Sequence, residues 1–326
     1  MKVVILNQEG DPAGVGYLLY QALNKIGVEC RHLIPQDNMM HKVTHGVDLI
    51  VKNSPQESLK AITEADILHI NGGWTDYLLP LTSIMKEKPF VLHNHGGWRL
   101  LNVLTIEQEL ESCFPANKIV VCSPLSLKLM PKAIWLPSPI PLEQPEFQLV
   151  ERDFNGEILI CHKTFSEEAE LWKGSKVYGE IINDYLRDKW AFPVKLDFFH
   201  DLHINEVLKA TAPYHICIDN LTQGFIGIAG WESLAKGQAV IARLDPTVER
   251  IYNQFGKNCP IINVSGMDEM ANTIRELMQD REKLKRICTE SAQWMRKYYT
   301  EERIAKMWKR MYEEVLDVQE TQIRKG

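Results

Sequence analysis

Basic side chains follow short apolar runs at places where they could meet an anionic substrate. The run Phe90–Leu92 leads into His93 and His95, and Arg99 follows shortly after. A histidine at the end of a strand can hydrogen-bond a substrate oxygen, and an arginine can clamp a phosphate. His93 and His95, two positions apart in a strand, would point to one face and could share a metal ion. No acidic third ligand follows nearby, so we expect no metal, while a purely structural role for both histidines stays open.

A second basic group ends the apolar run Glu157–Cys161. His162 and Lys163 close this run, and further along Lys173 stands directly before Gly174 at the predicted start of a helix. A lysine beside a helix N-terminus adds positive charge where the helix dipole already favours an anion. The pattern therefore favours a phosphate site, and the alternative is a loop with ordinary surface lysines.

Two glycine-bearing loops each connect a predicted strand to a predicted helix. Gly14 and Gly16 lie in the first loop, and Gly227 lies in the second, which leads to Glu232 in a short helix. Such loops let backbone N–H groups approach an anion, although a tight turn with positive φ is the alternative explanation. The Glu232 carboxylate could accept hydrogen bonds from both hydroxyls of a ribose, or it could simply complement the helix dipole.

Alternating strands and helices must position these groups. In the first half the predicted strands are Lys2–Asn7, Asp48–Val51, Asp66–Asn71, Pro89–His95 and Lys118–Ser123. In the second half they are Glu157–Cys161, Val194–Phe199, His215–Asp219, Ala239–Ala242 and Pro260–Val264. Strands that alternate with helices indicate βαβ units and parallel sheets covered on both faces. Ligands of such sheets bind at the carboxyl ends of the strands.

A proline-rich run separates the two halves. Pro137–Pro145 carries four prolines in nine residues, which makes it stiff and extended. We therefore predict an N-terminal Rossmann-like domain over residues 1–145 and a second one over residues 146–300, facing each other across a cleft. The stretch from Met267 to about Gln319 has a helical pattern. Its last part, 301–326, is predicted to be a helix that packs back toward the N-terminal domain.

The composition excludes several classes of protein. The chain has 326 residues, of which 45% are apolar and 25% charged, and its formal net charge is −6. This composition is globular, and the mild acidity argues against binding mainly through nucleic-acid phosphates. The seven cysteines are scattered without zinc or disulfide spacing, which favours a reducing cytoplasm. The apolar runs are too short for a membrane span or a signal peptide, so we expect a cytoplasmic protein.

The second glycine loop resembles the nucleotide-sugar signature of GT-B fold glycosyltransferases, above all the retaining family 4. Gly227 matches the loop glycine of that signature, Glu232 its second glutamate, and Gly237–Ile241 its closing strand. Gly224 stands where the family has its first glutamate, so the donor-sugar contact expected there is missing.

The resemblance extends to the basic groups. Lys173 with the glycine after it is similar to the family's Lys-Gly helix start. His95 and Arg99 are similar to its His-Gly-x-x-Arg sequence, and His162 is similar to the histidine of a His-Pro-Ser variant. The usual Gly-Arg before the Lys-Gly motif is replaced here by His162 and Lys163.

The resemblance implies sugar transfer from a nucleotide diphosphate sugar to an acceptor, with retention of configuration and without metal or cofactor. Lys173, with His162 or Lys163, would neutralise charge on the leaving diphosphate. The amides of Gly227 and Ile228 would add hydrogen bonds to it. Through the resemblance, Glu232 is expected to bind the ribose.

The same resemblance assigns roles in the first half. His95 would contact the donor sugar or stabilise its oxocarbenium-like state, and Arg99 would support that loop. Gly14 and Gly16 would form the loop that faces donor and acceptor. The alternatives are a DNA-modifying glycosyltransferase acting on a modified base and a non-catalytic nucleotide-sugar-binding protein, the latter favoured by Gly224. The acceptor, the donor base and the oligomeric state are not readable from the sequence.

Overall fold

A computed structural model of the chain describes residues 1–7, 11–35, 46–72, 87–95, 116–164, 194–200 and 202–323. The chain divides into two compact units, Met1–Pro139 with Glu301–Gly326 as unit 1 and Ile140–Thr300 as unit 2. The first division falls inside the proline-rich run Pro137–Pro145. Each unit is built on its own parallel sheet.

The secondary structure consists of two series of strands with helices between them. The strands are β1 (Lys2–Asn7), β2 (Glu29–Ile34), β3 (Leu49–Ile50), β4 (Ile67–Asn71), β5 (Phe90–Asn94), β6 (Lys118–Val121), β7 (Ile134–Trp135), β8 (Ile158–Lys163), β9 (Val194–Phe199), β10 (Ile216–Ile218), β11 (Ala239–Ala242) and β12 (Ile262–Asn263). The helices are α1 (Val15–Lys25), α2 (Pro55–Glu64), α3 (Ile204–Ala210), α4 (Ile228–Ala235), α5 (Pro246–Phe255), α6 (Met267–Gln279), α7 (Arg281–Tyr298) and α8 (Glu301–Ile323). Among these helices, none combines the length and apolar character needed to cross a membrane.

The sheet of unit 1 has the strand order β3-β2-β1-β4-β5-β6-β7, and every neighbouring pair is parallel. The chain winds to one side of β1 first and then to the other. The direction of winding therefore reverses between β1 and β4, where Asn7 and Asn71 are register partners. Open α/β sheets bind their ligands at such a switch point.

The sheet of unit 2 has the order β12-β11-β10-β8-β9, again with parallel pairs. Its winding reverses between β8 and β10, where His162 is the register partner of Ile218. The apolar strands pack against α6 and α7 through a core that includes Ile160, Ile274 and Leu284, each at most 2% exposed. The prediction of two parallel α/β sheets is confirmed.

The terminal helix α8 belongs to unit 1. Its residues Ile304, Trp308 and Tyr312 recur at a spacing of four, which places them on one face of a helix, and all three are fully buried. The Trp308 indole donates to the carbonyl of Pro137 at 3.0 Å, and the Tyr312 hydroxyl lies 2.6 Å from Nδ1 of His69. The predicted helical stretch is thus made of α6, α7 and α8.

Two strands of unit 1 were not predicted. The strand β7 is only two residues long, and β2 reads Glu-Cys-Arg-His-Leu-Ile, in which polar residues interrupt the apolar pattern. The ring of His32 is nevertheless fully buried, because its Nε2 is hydrogen-bonded to the side-chain amide of Asn7 in β1. A buried polar side chain with a partner across the sheet costs little, and the partner is invisible in the local sequence.

Candidate functional site

Buried polar side chains collect at the carboxyl edge of the sheet in unit 1. Asn7 and Asn71 end β1 and β4, while His32 and His93 lie near the ends of β2 and β5, and each is at most 1% exposed. The carboxyl ends of parallel strands meet at one edge, so these side chains are neighbours. We call the following group the histidine edge: Asn7, Asp11, His32, Asn71, His93, His95 and Cys122.

Asp11 occupies the N-terminus of α1. Its Oδ1 accepts the amide of Gly16 at 2.8 Å, and its Oδ2 accepts the amide of Tyr17 at 2.7 Å. The carboxylate is 1% exposed and balances the positive end of the helix dipole. The anion at this helix terminus is therefore supplied by the protein itself, and the Gly16 amide is already engaged.

The local geometry explains why glycine occupies both position 14 and position 16. Gly14 has a φ of 65°, in the left-handed region that favours glycine. A Cβ on Gly16 would lie 2.7 Å from Oδ1 of Asn7 and 2.8 Å from Nδ2 of Asn71. Gly16 thus lets α1 approach the paired asparagines at the switch point of the sheet.

Asn71 connects this loop to His95. Its Nδ2 donates to Oδ1 of Asn7 at 2.5 Å and to Oδ1 of Asp11 at 3.4 Å. Its Oδ1 lies 2.6 Å from Nε2 of the partly buried His95. Sequence analysis named His95 but missed Asn7, Asp11 and Asn71. The signal that could have found the two asparagines is that each one closes an apolar strand run.

Burial holds His95, His93 and the neighbouring His69 neutral. Burial lowers the pKa of His95 to about 4, against the opposing effect of Asp11, and lowers the pKa of His93 well below its usual value. Burial also lowers the pKa of His69, which neighbours His93, to about 3. A neutral imidazole has one N–H donor and one lone pair, so each ring can act as donor and acceptor but carries no charge.

One group in the described part of the chain has the donor types of a soft metal site. Ligand atoms of His93, His95 and Cys122 lie within 4.8 Å of one another. Cys122 follows β6 on the same face as the two histidines, because His93 and Val120 are register partners. However, burial raises the pKa of the Cys122 thiol to about 12, and its Sγ lies 3.0 Å from Nε2 of His93. A metal would have to displace the thiol proton, because only the thiolate is a good ligand.

Unit 2 has a different set of polar side chains at its carboxyl edge. We call His162, Lys163, Asp219 and Glu232 the charged edge; each is at most 4% exposed. The Lys163 Nζ lies 3.5 Å from Oε2 of Glu232, a residue of α4. Burial is the largest single effect and would lower the pKa of Lys163, but Glu232, Cys217, Cys161 and Asp219 together outweigh it and the pKa is raised. Lys163 is therefore a buried cation at neutral pH.

Glu232 has an unsatisfied oxygen. Its Oε2 faces Lys163, whereas its Oε1 is buried and has no hydrogen-bond partner within the described residues. Buried carboxylate oxygens normally accept hydrogen bonds, and an unsatisfied one is costly. The Oε1 atom therefore has unused acceptor capacity while Oε2 faces Lys163.

His162 and Asp219 flank the switch point of this sheet. Nδ1 of His162 donates to the carbonyl of Ile218 at 2.7 Å, which fixes one proton of the ring. Oδ2 of Asp219 accepts the amide of Gly227 at 2.7 Å, at the N-terminus of α4. A Cβ on Gly230 would lie 2.8 Å from the same oxygen. The Gly227 amide, expected to bind a diphosphate, is thus engaged with Asp219.

The departure at Gly224 also has a structural reason. Gly224 has a φ of 82°, and its carbonyl accepts the amide of Asp245 at 2.8 Å. A Cβ there would lie 3.3 Å from Cβ of Asp245. A glutamate at this position would be strained, so glycine suits the turn that leads into α5.

The structure distributes the predicted site residues over both units. His95, Gly14 and Gly16 lie at the carboxyl edge in unit 1. The members in unit 2 are His162, Lys163, Gly227, Ile228 and Glu232. Of these, Lys163 and Glu232 are brought into direct contact. Lys173 and Arg99 lie outside the described residues.

Solved structures establish the fold class. HepE of Anabaena, crystallised in complex with UDP, matches with a TM-score of 0.66 and 13% identity, over 96% of this chain and 100% of HepE. Sucrose-phosphate synthase from Thermosynechococcus elongatus matches with 0.64 and 14% identity, over 98% and 100% of the two chains. An alpha-glucosyltransferase in complex with UDP and a 13-mer DNA matches with 0.59 and 14% identity, over 97% and 99%.

The chain has the GT-B fold of these proteins. No protein-family model matches the sequence, and no curated protein shows significant similarity to it. At such low identities the likeness defines the fold, and the chemistry has to be argued from the site itself.

Proposed function

We propose that the protein is a glycosyltransferase that takes a sugar from a nucleotide diphosphate sugar, with UDP-sugars as the first donors to test. The observation that carries this proposal is the buried pair of Lys163 and Glu232 beside the switch point of the sheet in unit 2. Ligands of open α/β sheets bind at such points. HepE, which shares the fold, was crystallised with UDP and with UDP-glucose.

The charged edge supplies what a nucleotide diphosphate needs. In our proposal the unsatisfied Oε1 of Glu232 accepts hydrogen bonds from ribose hydroxyls. Lys163, with His162 and with Lys173, supplies positive charge where negative charge develops on the leaving diphosphate. Because Asp219 holds the Gly227 amide, the amide of Ile228 is the remaining backbone donor of the predicted pair.

Unit 1 contributes the contact to the sugar in this proposal. His95 contacts the donor sugar, Arg99 supports its loop, and Gly14 and Gly16 shape the neighbouring turn. Retention of configuration, independence of metal ions and membership of family 4 belong to the same proposal. The cysteines within the described residues are all free, which supports work in a reducing compartment such as the cytoplasm.

Calorimetric titration with UDP, GDP, ADP and TDP tests the donor site. One of these nucleotides should bind, and Glu232→Gln should weaken it about 10- to 100-fold, the range expected for hydrogen bonds to a charged group. Glu290→Gln, an exposed glutamate of α7, is the matched control and should bind as the wild type does. Equal affinities for all three proteins would refute the assignment of Glu232.

Release of nucleoside diphosphate from the bound donor tests the chemistry. Turnover with an acceptor, unaffected by a chelator, is the expected result, and Lys173→Ala should lower it by orders of magnitude. Binding without turnover on any acceptor would instead indicate a nucleotide-sugar-binding protein. Transfer only to DNA carrying a modified base, weakened steeply by salt, would indicate the DNA-modifying alternative.

A further inference from the structure

We propose that Asp11 and Asn71 are positioning residues that fix the proton of His95 on Nε2. Nδ1 of His95 then accepts a hydrogen bond from a hydroxyl group of the transferred sugar. The second half of this inference rests on the proposed function. The first half concerns the protein alone and can be tested without any substrate.

We call the hydrogen-bonded series Asp11, Asn71 and His95 the relay. The direction of its hydrogen bonds is set by Asp11. An ionised carboxylate has acceptor atoms only. Its two oxygens accept the amides of Gly16 and Tyr17, and Oδ1 also faces the side chain of Asn71 at 3.4 Å. Asn71 must therefore present its Nδ2 group, the only donor of its side chain, to Asp11.

The orientation of the Asn71 side-chain amide is fixed by its other contacts. It is 1% exposed, and its Nδ2 is also bound to Oδ1 of Asn7 at 2.5 Å. Gly16 packs so closely that a Cβ would lie 2.8 Å from this Nδ2, which holds the amide group in place, so that only an exchange of its two ends could change its hydrogen bonds. With Nδ2 directed at Asp11 and Asn7, Oδ1 of Asn71 is the atom that faces His95.

His95 faces an acceptor atom of Asn71 and must therefore provide a hydrogen-bond donor. Its Nε2 lies 2.6 Å from Oδ1 of Asn71, so this nitrogen carries the proton. In a neutral imidazole the other nitrogen, Nδ1, then carries a lone pair. Burial keeps the ring neutral at pH 7, so only one of its two nitrogens carries a proton. The sequence alone left the role of His95 open between a contact to the sugar and stabilisation of a cationic state.

The lone pair on Nδ1 of His95 restricts which ligand atoms can bind there. An acceptor at Nδ1 cannot donate to a phosphate oxygen, because phosphate oxygens only accept. Sugar hydroxyls can donate, and they are the donors that the transferred part of a nucleotide sugar offers. We therefore assign a sugar hydroxyl to Nδ1 of His95.

Nitrogen-15 NMR of the full chain, labelled in its histidines, tests the first half. Long-range proton–nitrogen spectra distinguish the two tautomers, and His95→Gln assigns the signals. The wild type should show the Nε2–H tautomer. Asp11→Asn keeps the shape of the side chain but adds a donor, so Asn71 can turn over and His95 should gain the Nδ1–H tautomer. Asp66→Asn, a carboxylate at the opposite end of β4 that accepts the Lys2 amide, is the control and should change nothing.

The outcomes are distinct. An Nδ1–H tautomer in the wild type, or an unchanged tautomer in Asp11→Asn, would overturn the relay. Asn71→Leu should abolish the preference for Nε2–H, and a circular dichroism spectrum shows whether that variant folds. If it does not fold, the isosteric Asp11→Asn still decides the question.

Donor analogues test the second half. A series of deoxy sugars should contain one for which kcat/KM falls about tenfold or more in the wild type, the scale of a lost hydrogen bond in a buried site. In Asp11→Asn that analogue and the parent sugar should become equal. If every analogue responds alike in both proteins, the hydroxyl contact is refuted. If no donor is turned over at all, the proposed function fails while the NMR result stands.

Discussion

The carboxyl edges of the two sheets share one device and differ in what surrounds it. In each unit an aspartate after a strand accepts a backbone amide at the start of a helix. Asp11 accepts Gly16 at α1, and Asp219 accepts Gly227 at α4. In each unit a glycine of that helix leaves no room for a Cβ beside polar side chains; these are Gly16 and Gly230. The helices are therefore joined to the sheets in the same way.

The surroundings of the two aspartates are chemically opposite. Around Asp11 lie the side-chain amides of Asn7 and Asn71 and the neutral imidazole of His95, which are joined by hydrogen bonds. Near Asp219 lies a buried ion pair, Lys163 with Glu232. A neutral, ordered set suits hydroxyl groups, whereas a buried cation suits a phosphate. The two edges therefore differ in the chemical groups that each is suited to bind.

The largest effect is expected from breaking the ion pair of unit 2. Lys163→Met would leave the buried Glu232 carboxylate without its cation, which typically costs about 3–5 kcal/mol. The measurement is urea-induced unfolding followed by tryptophan fluorescence. The double variant Lys163→Met with Glu232→Leu should recover much of this loss, since it removes both charges. A single variant as stable as the wild type would show that the pair is not a buried charge pair.

The second effect is a dependence of stability on pH that arises in unit 1. His95 has a pKa of about 4 in the folded protein and about 6.5 when unfolded, so the unfolded chain binds the proton first. Stability contributed by the neutral ring is complete above pH 6.5 and is lost as the pH falls toward 4. The difference is on the order of 3 kcal/mol.

His95→Gln tests this window, because glutamine keeps a donor for Asn71 and does not titrate. Unfolding free energies of both proteins should be compared between pH 7 and 4. The advantage of the wild type should shrink by roughly 3 kcal/mol over that range. Parallel curves would show that the His95 ring is already accessible to protons in the folded state.

Much of the fold could be predicted from local patterns, because runs such as Lys2–Asn7 and Ala239–Ala242 are apolar and buried on both faces. The strand β2 could not, since Arg31 and His32 interrupt its run. The buried His32 is stabilised by a partner that only the folded sheet brings near.

The site could be predicted in part for the same reason. The types of His95, Lys163 and Glu232 suggest chemistry wherever they occur, so sequence analysis named them. Asn7 and Asn71 suggest little by type. Their roles arise from the register of β1 against β4, which no local pattern contains.

The third effect arises where α1 and α4 each approach buried side chains of their own unit closely. Gly16→Ala places a Cβ against Asn7 and Asn71, two buried side chains already in hydrogen bonds, and should cost about 1–3 kcal/mol. Gly230→Ala meets the Asp219 oxygen at 2.8 Å and Cβ of Ile226 at 3.0 Å, and should fall in the same range.

Gly227→Ala is the matched control for both glycines. The nearest atom to its Cβ would be Oδ2 of Asp219 at 3.9 Å, an ordinary contact, and its φ of −81° suits any residue. Its effect should stay within about 0.5 kcal/mol. Thermal unfolding of the three variants measures whether Gly16→Ala and Gly230→Ala lose more stability than Gly227→Ala does. A Gly227→Ala loss as large as that of Gly16→Ala would refute the view that close approach explains these glycines.

The smallest effect concerns the charge of the shared aspartate. Asp219→Asn retains an acceptor for the Gly227 amide and loses only the negative charge at the N-terminus of α4. The expected cost is about 0.3–1 kcal/mol, the range for a charge at a helix terminus. Asp219 also contributes to the raised pKa of Lys163, although less than Glu232 does. A loss above about 3 kcal/mol in urea unfolding would therefore mean that Asp219, and not Glu232, is the main counter-ion of Lys163. The charged edge would then be a cation shared between two carboxylates, and the unsatisfied Oε1 of Glu232 would no longer be the carboxylate oxygen best placed to receive a hydroxyl.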